Sequence, residues 1–457
     1  MGPLYAHRIP ILRGMTAPQR LRRGTIALYA IGSLGTGGFG TLPGLVLVFY
    51  LTDTLGIAAL AAGVLVTAAK IWDVVIDPVI GAQSDRSLAR RGSRRPFMIV
   101  GAVLLPVFFI LTFAVPAGLS PVPAGVWVLF AFVATATAFS MFQVPYIALP
   151  AEISQGYDQR TTLVSARVVV LTFAILLFGA GAPEIRDAFG ADEHLGYLVM
   201  AIVAGLTIGA GMLVSSFAAP RGPSFEAPRL SIADNYREGF AALRRSRPFR
   251  ALLATFLLQG LATGLMLAGA QYVARWVLGD GVTLLFLSLI APALVFAPVW
   301  AVVSRRLGKE RAFVIASVLF GVAALAILGQ LWFPGVWIYG PVALAGAAYA
   351  GMQSLPMSML PDVISHDSHL HGRERAGTFG GVWTAGETTG MALGATVLTI
   401  VLAASGYLES VGGQEIVQPA SAIAGIVISF SIVPAVIIAV SLVTFARYPL
   451  RKADVDV

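Results

Sequence analysis

The chain has 457 residues, 57% of them hydrophobic and 12% charged, and a soluble core of that size would leave far too much apolar surface exposed, so the composition excludes a water-soluble globular protein. The formal net charge of +8 comes from basic residues scattered over short loops rather than gathered on one domain, which argues for membrane topology and against a nucleic-acid partner. The absence of cysteine excludes disulfides, thiol catalysis and cysteine metal sites.

Arg8, Arg13, Arg20, Arg22 and Arg23 precede an apolar run too long for a signal-peptide core, which therefore reads as a retained first helix. Crossing a hydrocarbon core of ~30 Å takes ~20 apolar residues of helix. Such runs recur at 24–51, 57–83, 96–116, 124–150, 161–183, 195–220, 250–278, 282–304, 311–332, 335–360, 376–403 and 422–447, and no alternating strand pattern competes with them. The expected fold class is an all-α membrane protein with twelve transmembrane helices. Loop 84–95 carries five arginines and segment 221–250 seven, whereas the loops between helices 3 and 4 and between 9 and 10 carry no charge. The positive-inside rule then places both termini in the cytoplasm, and a bacterial inner membrane is the expected location.

Within the first helix, GTGGFG at Gly35 to Gly40 satisfies a dinucleotide-binding pattern, but no strand precedes it. It reads instead as a thin stretch of helix that allows close packing or local unwinding at a cavity.

The second helix carries Lys70, Asp73 and Asp77 at i, i+3 and i+7, which places all three on one helical face. A charge at membrane depth costs at least ~2.5 to 3.5 kcal/mol on insertion scales, so these side chains must face partners or a wet cavity. Two carboxylates one turn apart supply hard oxygen ligands suited to a small cation, with a proton as competing ligand. Lys70 can hold the site together before the cation arrives. The alternative is a salt-bridged trio that locks helix 2 to a neighbour without any ion, completed by Arg167 deep in helix 5.

The segment 221–250 is the only long polar interruption, and it divides the chain into 1–220, a linker, and 251–457, with six helices in each half. The halves echo each other. DPVIGAQSDR from Asp77 aligns with APVWAVVSRR from Ala297, and R-x-G-x-x-R-x-F occurs both at Arg90–Phe97 and at Arg306–Phe313. LPAEIS from Leu149 pairs with LPDVIS from Leu360, each with another proline upstream, Pro145 and Pro356. Echoes in the same order with agreeing topology imply a parallel repeat, the plan of transporters that bind substrate at mid-membrane between two rocking halves. Asp77 corresponds to Ala297 in this alignment, so only the first half can hold the cation site. The duplicated basic motif suggests a gating latch that includes Arg95 and Arg311.

The run W-D-x-x-x-D-P-x-x-G at Trp72 to Gly81, followed by an arginine-rich loop and R-P-F, resembles the glycoside, pentoside and hexuronide cation symporters of the major facilitator superfamily, typified by melibiose permease. The likeness extends to LTD at Leu51 to Asp53, VPY at Val144 to Tyr146, Arg167, and the glycine-spaced eleventh helix. The resemblance implies the major facilitator fold and a cation site of Asp73 and Asp77 helped by Ser140, with Lys70 and Trp72 in support. It also implies substrate contacts around Gly37, Gln143, Tyr146, Arg167 and Glu387. Gly37, Gln143 and Glu387 stand where the melibiose permease pattern has two acids and a lysine, so the cation machinery matches while the sugar-gripping acids do not.

His366, His369, His371 and Asp367 have ligand-like chemistry, but a solvated loop after helix 10 accounts for them without metal. Arginine-rich loops can touch anionic lipid, and orientation alone already explains them. Glu387, a lone acid amid threonines, is expected to meet a cation, a substrate or Arg167. No acid pair or serine–histidine–aspartate set marks an enzyme and no cofactor is called for. The expected function is symport of a sugar or glycoside-like solute with sodium or a proton by a monomer in contact with membrane lipids. The alternatives are a sodium-coupled carrier of a lipid-like or amphiphilic solute and a non-transporting receptor or assembly factor.

Overall fold

The structure, a computed structural model, describes residues 21–154, 157–190, 192–222, 244–279, 281–371, 376–411 and 416–450. The distal N-terminal arginines, most of the segment 221–250 and the tail from Arg451 lie outside the described residues. Among the described residues the fold is all-helical, apart from one isolated bridge between Leu55 and Val411. The helices are α1 (Arg23–Thr54), α2 (Ala59–Arg91), α3 (Arg95–Phe113), α4 (Pro121–Ile153), α5 (Tyr157–Asp187), α6 (Glu193–Ser216), α7 (Arg247–Leu278), α8 (Val282–Leu307), α9 (Lys309–Leu331), α10 (Tyr339–His371), α11 (Ala376–Ala404) and α12 (Ala420–Phe445). Eleven of them, all but α10, are long and apolar enough to cross a membrane over the described residues.

Local chemistry sets the ends. Prolines open α3, α4 and α7, where a missing N–H costs nothing, and the Asp192 and Ser246 side chains accept from Leu195 N and Phe249 N at the starts of α6 and α7. Gly92 stops α2 with φ 65°. Two helices outrun the apolar pattern: α2 continues to Arg91 and α10 to His371, so His366 and Asp367 belong to a helix rather than a loop. Neither stretch contains a glycine or proline beyond the apolar run that would terminate it, apart from Pro361, which α10 accommodates. α1 is interrupted at Gly32 and ends in a π-helical turn, Tyr50–Thr54.

α3 packs on α4 and α6, α2 on α4, and α1 on α5; six helices later α9 packs on α10 and α12, α8 on α10, and α7 on α11. Between these groups α2 lies along α11, α5 along α8, and α1 along α7. Two of the crossings depend on glycine. A methyl group at Gly63 of α2 would run into Thr399 of α11, and one at Gly179 of α5 into the Phe286 ring of α8. Outward faces carry exposed Val75, Phe130, Val169, Phe173 and Val295, as expected where the solvent is hydrocarbon rather than water.

The hydrogen bonds between α1–α6 and α7–α12 gather at the end remote from the arginine-rich loops. Thr67 bonds Thr396, the Thr283 hydroxyl donates to Ala180 O, and Arg186 donates to Gln271. The α11–α12 connection reaches over the end of α1, where Ser410 Oγ donates to Asp53 O and Ala59 N donates to Glu409 Oε1. The bundle is therefore sealed at that end, and the cavity lies on the arginine-rich side of the seal.

Candidate functional site

A cavity of about 280 Å³ lies between the two groups of helices. α2 contributes Lys70, Asp73 and Asp77 to its wall, α4 contributes Ser140 and Gln143, and α1 contributes Thr36. α7 and α11 close the opposite side with Leu267, Thr384, Thr388 and Met391. The helical spacing of the charged trio thus does what it implied, because one face of α2 is turned inward.

The trio is incompletely satisfied. Lys70 Nζ lies 3.2 Å from Asp73 Oδ2, and Asp73 is 9% exposed. Ser140 of α4 lines the cavity together with Asp77 of α2. Asp73 Oδ1 and Asp77 Oδ1 are both buried without a hydrogen-bond partner. Buried carboxylate oxygens left unpaired are expensive, and a small cation shared by hard oxygen ligands is the chemistry that relieves them. Arg167 does not complete the cluster as an ion pair: its guanidinium sits 5.1 Å from the Tyr146 ring centre, and its Nε is unpartnered.

The remaining sequence-derived residues separate into lining and support. Gln143 lines the cavity and accepts from the Thr36 hydroxyl at 2.8 Å. Thr36, not singled out from the sequence, occupies the wall beside Gly37. Gly37 itself is a packing position, since a Cβ there would meet Ala174 of α5. Tyr146 is fully buried behind the wall, shares a hydrogen bond with the Ser33 hydroxyl and donates to Tyr29 O, so it braces α4 against α1. Trp72 lies outside the lining and donates to Thr137 at 2.8 Å on the α4 side. Glu387 sits on the α11 turn between Thr384 and Thr388, within electrostatic range of Tyr349 of α10. No ion pair joins it to Arg167 among the described residues.

The arginine-rich end has its own pairing. Arg94 rather than Arg95 is the hub, contacting Asp85 at 2.5 Å, Glu152 at 2.5 Å and Ser84 Oγ at 2.6 Å. Arg95 stacks on Phe217 with its guanidinium carbon 3.8 Å from the ring centre, and Arg311 is exposed. In the second group Lys309 pairs with Asp362 at 2.5 Å. Both pairs join the basic loop to the end of the second helix after it, and the acids inside LPAEIS and LPDVIS were the available signal. Arg245 holds Asp367 at 2.8 Å, so this acid is engaged in an ion pair; the side chains of His369 and His371 lie outside the described residues.

At the sealed end Asp53 is 4% exposed and accepts from Thr52 and Tyr407. Trp276 donates to the Tyr407 oxygen at 2.8 Å. Burial and the Asp53 carboxylate hold the Tyr407 hydroxyl well above the usual tyrosine range, which keeps it a donor. In the sequence Asp53 stood out only as part of LTD, because Tyr407, its long-range donor, lies 354 positions away.

The family described as MFS/sugar transport protein matches residues 28–452. The chain belongs to the glycoside-pentoside-hexuronide cation symporter family of the major facilitator superfamily. It is 26% identical to the glucuronide carrier protein homolog of Escherichia coli (strain K12), over 94% of this chain and 93% of that protein. To the isoprimeverose transporter of Lactiplantibacillus pentosus it is 23% identical, over 88% of this chain and 86% of the relative. Among solved structures it shares the fold of a nucleoside transporter (TM-score 0.64, 12% identity, 94% of this chain and 100% of that one) and of a D-xylose-proton symporter (TM-score 0.61, 13% identity, 89% and 97%). Membership of this symporter family makes the protein a multi-pass membrane transporter rather than an enzyme, and secondary active symport is the work of such a fold.

Proposed function

We propose that the protein couples entry of a small cation, held by Asp73, Asp77 and Ser140, to movement of a glycoside through the cavity between its two six-helix halves. The observation that carries this reading is the pair of buried, unpartnered oxygens, Asp73 Oδ1 and Asp77 Oδ1, on one wall of a central cavity. Lys70 and Asp73 provide the internal ion pair of the unloaded site, and Trp72 supports α2 from behind through Thr137. Thr36 and Gln143 are the polar groups best placed for sugar hydroxyls. Arg167 and Tyr146 stand about one helical turn nearer the arginine-rich end, Glu387 lies on α11 beside the lining Thr384 and Thr388, and Gly37 lets α1 pack close enough to α5 to shape the wall.

The two halves are 1–220 and 251–457, joined by 221–250. The six-helix offset in packing partners supports that division, with α10 as the twelfth crossing. Both termini are cytoplasmic in the inner membrane of a bacterium, so the sealed end faces outward and the state is open to the cytoplasm. Arg95 and Arg311 are then free to latch the halves when that mouth closes. The working unit is a monomer, without cofactor or nucleic acid.

A second reading is favoured by the lining itself, since Phe39, Pro43, Leu47, Phe132, Leu267 and Met391 give the cavity much apolar wall. An amphiphilic solute would use it. Uptake into vesicles separates the readings. The panel holds p-nitrophenyl β-D-glucuronide, p-nitrophenyl β-D-glucoside, a pentoside, a free hexuronate and a lysolipid, each with a sodium gradient, with a proton gradient and with neither. Cation-driven accumulation of a glycoside is expected; accumulation of the lysolipid alone favours the second reading, and no cation dependence for any member refutes coupling.

A further inference from the structure

Lys70 is placed to do more than balance charge. Its ammonium has three donors, and the one hydrogen bond it makes among the described residues is to Asp73 Oδ2. The side chain is 27% exposed and lines the cavity, and Nζ stands 5.7 Å from the centre of the Phe39 ring, another lining residue. Thr36 and Gln143 share this chamber, and Lys70 is the one basic side chain in the lining among the described residues.

Asp73 is the point of competition. One of its oxygens holds Lys70 and the other is unpartnered, as is Asp77 Oδ1. A cation bridging the two carboxylates takes over the charge that Lys70 was neutralising, and at a separation of a few ångströms it also repels the ammonium. The released ammonium cannot remain unpaired in a chamber with this much apolar wall, because a desolvated charge needs a partner. A four-carbon arm pivots within that chamber without moving the backbone, and an oxygen of the solute is the new partner within its reach.

We propose that Lys70 is the coupling switch: it pairs with Asp73 until the cation arrives, is displaced by it, and then holds an oxygen of the glycoside. This rests on the cation-coupled reading above and gives that coupling a residue. The cation pre-positions the donor that binds solute, and by reciprocity bound solute, holding Lys70 away from Asp73, tightens cation binding by the same factor.

Two variants separate a switch from a fixed brace. Lys70→Gln removes both the competitor of the cation and the donor for the solute, so sodium should bind more tightly without solute, while solute affinity stays weak with or without sodium. Asp73→Asn removes what holds Lys70 back, so solute should bind tightly without sodium. Lys70→Arg, which keeps the charge, should retain the cation effect. The measurement is the Kd of p-nitrophenyl β-D-glucuronide on purified protein, in sodium chloride against choline chloride and in choline at acid against neutral pH, with sodium binding alone followed by calorimetry. In the unaltered protein the effective cation should tighten the glycoside by about tenfold or more. The switch is overturned if Lys70→Gln keeps that factor within twofold, or if it weakens sodium binding alone as loss of a brace would. No cation effect in the unaltered protein instead refutes the cation-coupled reading, so the two failures are distinguishable.

Discussion

The Tyr407 hydroxyl donates to Asp53 Oδ1 at 2.5 Å across 354 positions of sequence, joining the connection after α11 to the end of α1. Together with Ser410 and Trp276 it closes the end of the bundle remote from the arginine-rich loops. Removing one such bond and leaving a buried carboxylate short of a donor costs about 1 to 3 kcal/mol. Tyr407→Phe should therefore shift the balance toward opening of this end by about tenfold, at 1.4 kcal/mol per decade. Because the chain has no cysteine, a single Leu267→Cys in the cavity wall reports the shift directly. Its labelling from the sealed side by a membrane-impermeant maleimide should rise, and an unchanged rate would show that the bond does not gate.

Loss of either helix-2 acid should uncouple transport without destroying it. In Asp73→Asn and Asp77→Asn, cation-driven accumulation should fall to background while passive exchange of bound solute persists, since Thr36 and Gln143 are untouched. Vesicle uptake and counterflow measure the two separately. If both single variants still concentrate solute with ordinary cation dependence, the trio is only a salt bridge.

At the arginine-rich end two neighbouring residues should behave differently. Arg94 is 12% exposed at its side chain and joins Glu152 and Asp85, so Arg94→Gln strands charges that were paired and should destabilise by about 3 kcal/mol. Thermal unfolding in detergent reads that loss. Arg95→Gln with Arg311→Gln breaks no ion pair among the described residues and should leave the melting temperature nearly unchanged while slowing turnover. Normal turnover in the double variant would remove the latch.

The close contact at Gly179 predicts a rescue. A methyl group there meets the Phe286 ring, and forced overpacking costs about 1 to 3 kcal/mol. Gly179→Ala should therefore disfavour the sealed end and raise labelling of Leu267→Cys from that side. Adding Phe286→Ala should restore the original rate, because the ring is the obstacle. Failure of the second change to restore it would place the effect elsewhere.

Much of this protein is written locally. Apolar length and the distribution of arginine specify membrane-spanning helices, since a buried backbone in hydrocarbon must satisfy its own hydrogen bonds. The i, i+3, i+7 spacing of Lys70, Asp73 and Asp77 specifies a shared face, since helical geometry is the same wherever the helix sits. Helix ends beyond the membrane were less legible: α2 and α10 extend into polar sequence, where hydropathy is silent and, for α2, only Gly92 marks the stop. What the tertiary structure alone decided is which side of each residue faces the cavity and which distant residue answers it. Thr36 rather than Gly37 lines the chamber, Arg94 rather than Arg95 carries the ion pairs, and Asp53 finds Tyr407. The reason is physical: helical period defines relative positions on one helix, but the rotation of each helix about its axis is set by packing against neighbours far away in the chain, through contacts such as Gly63 on Thr399, and no local pattern encodes that angle.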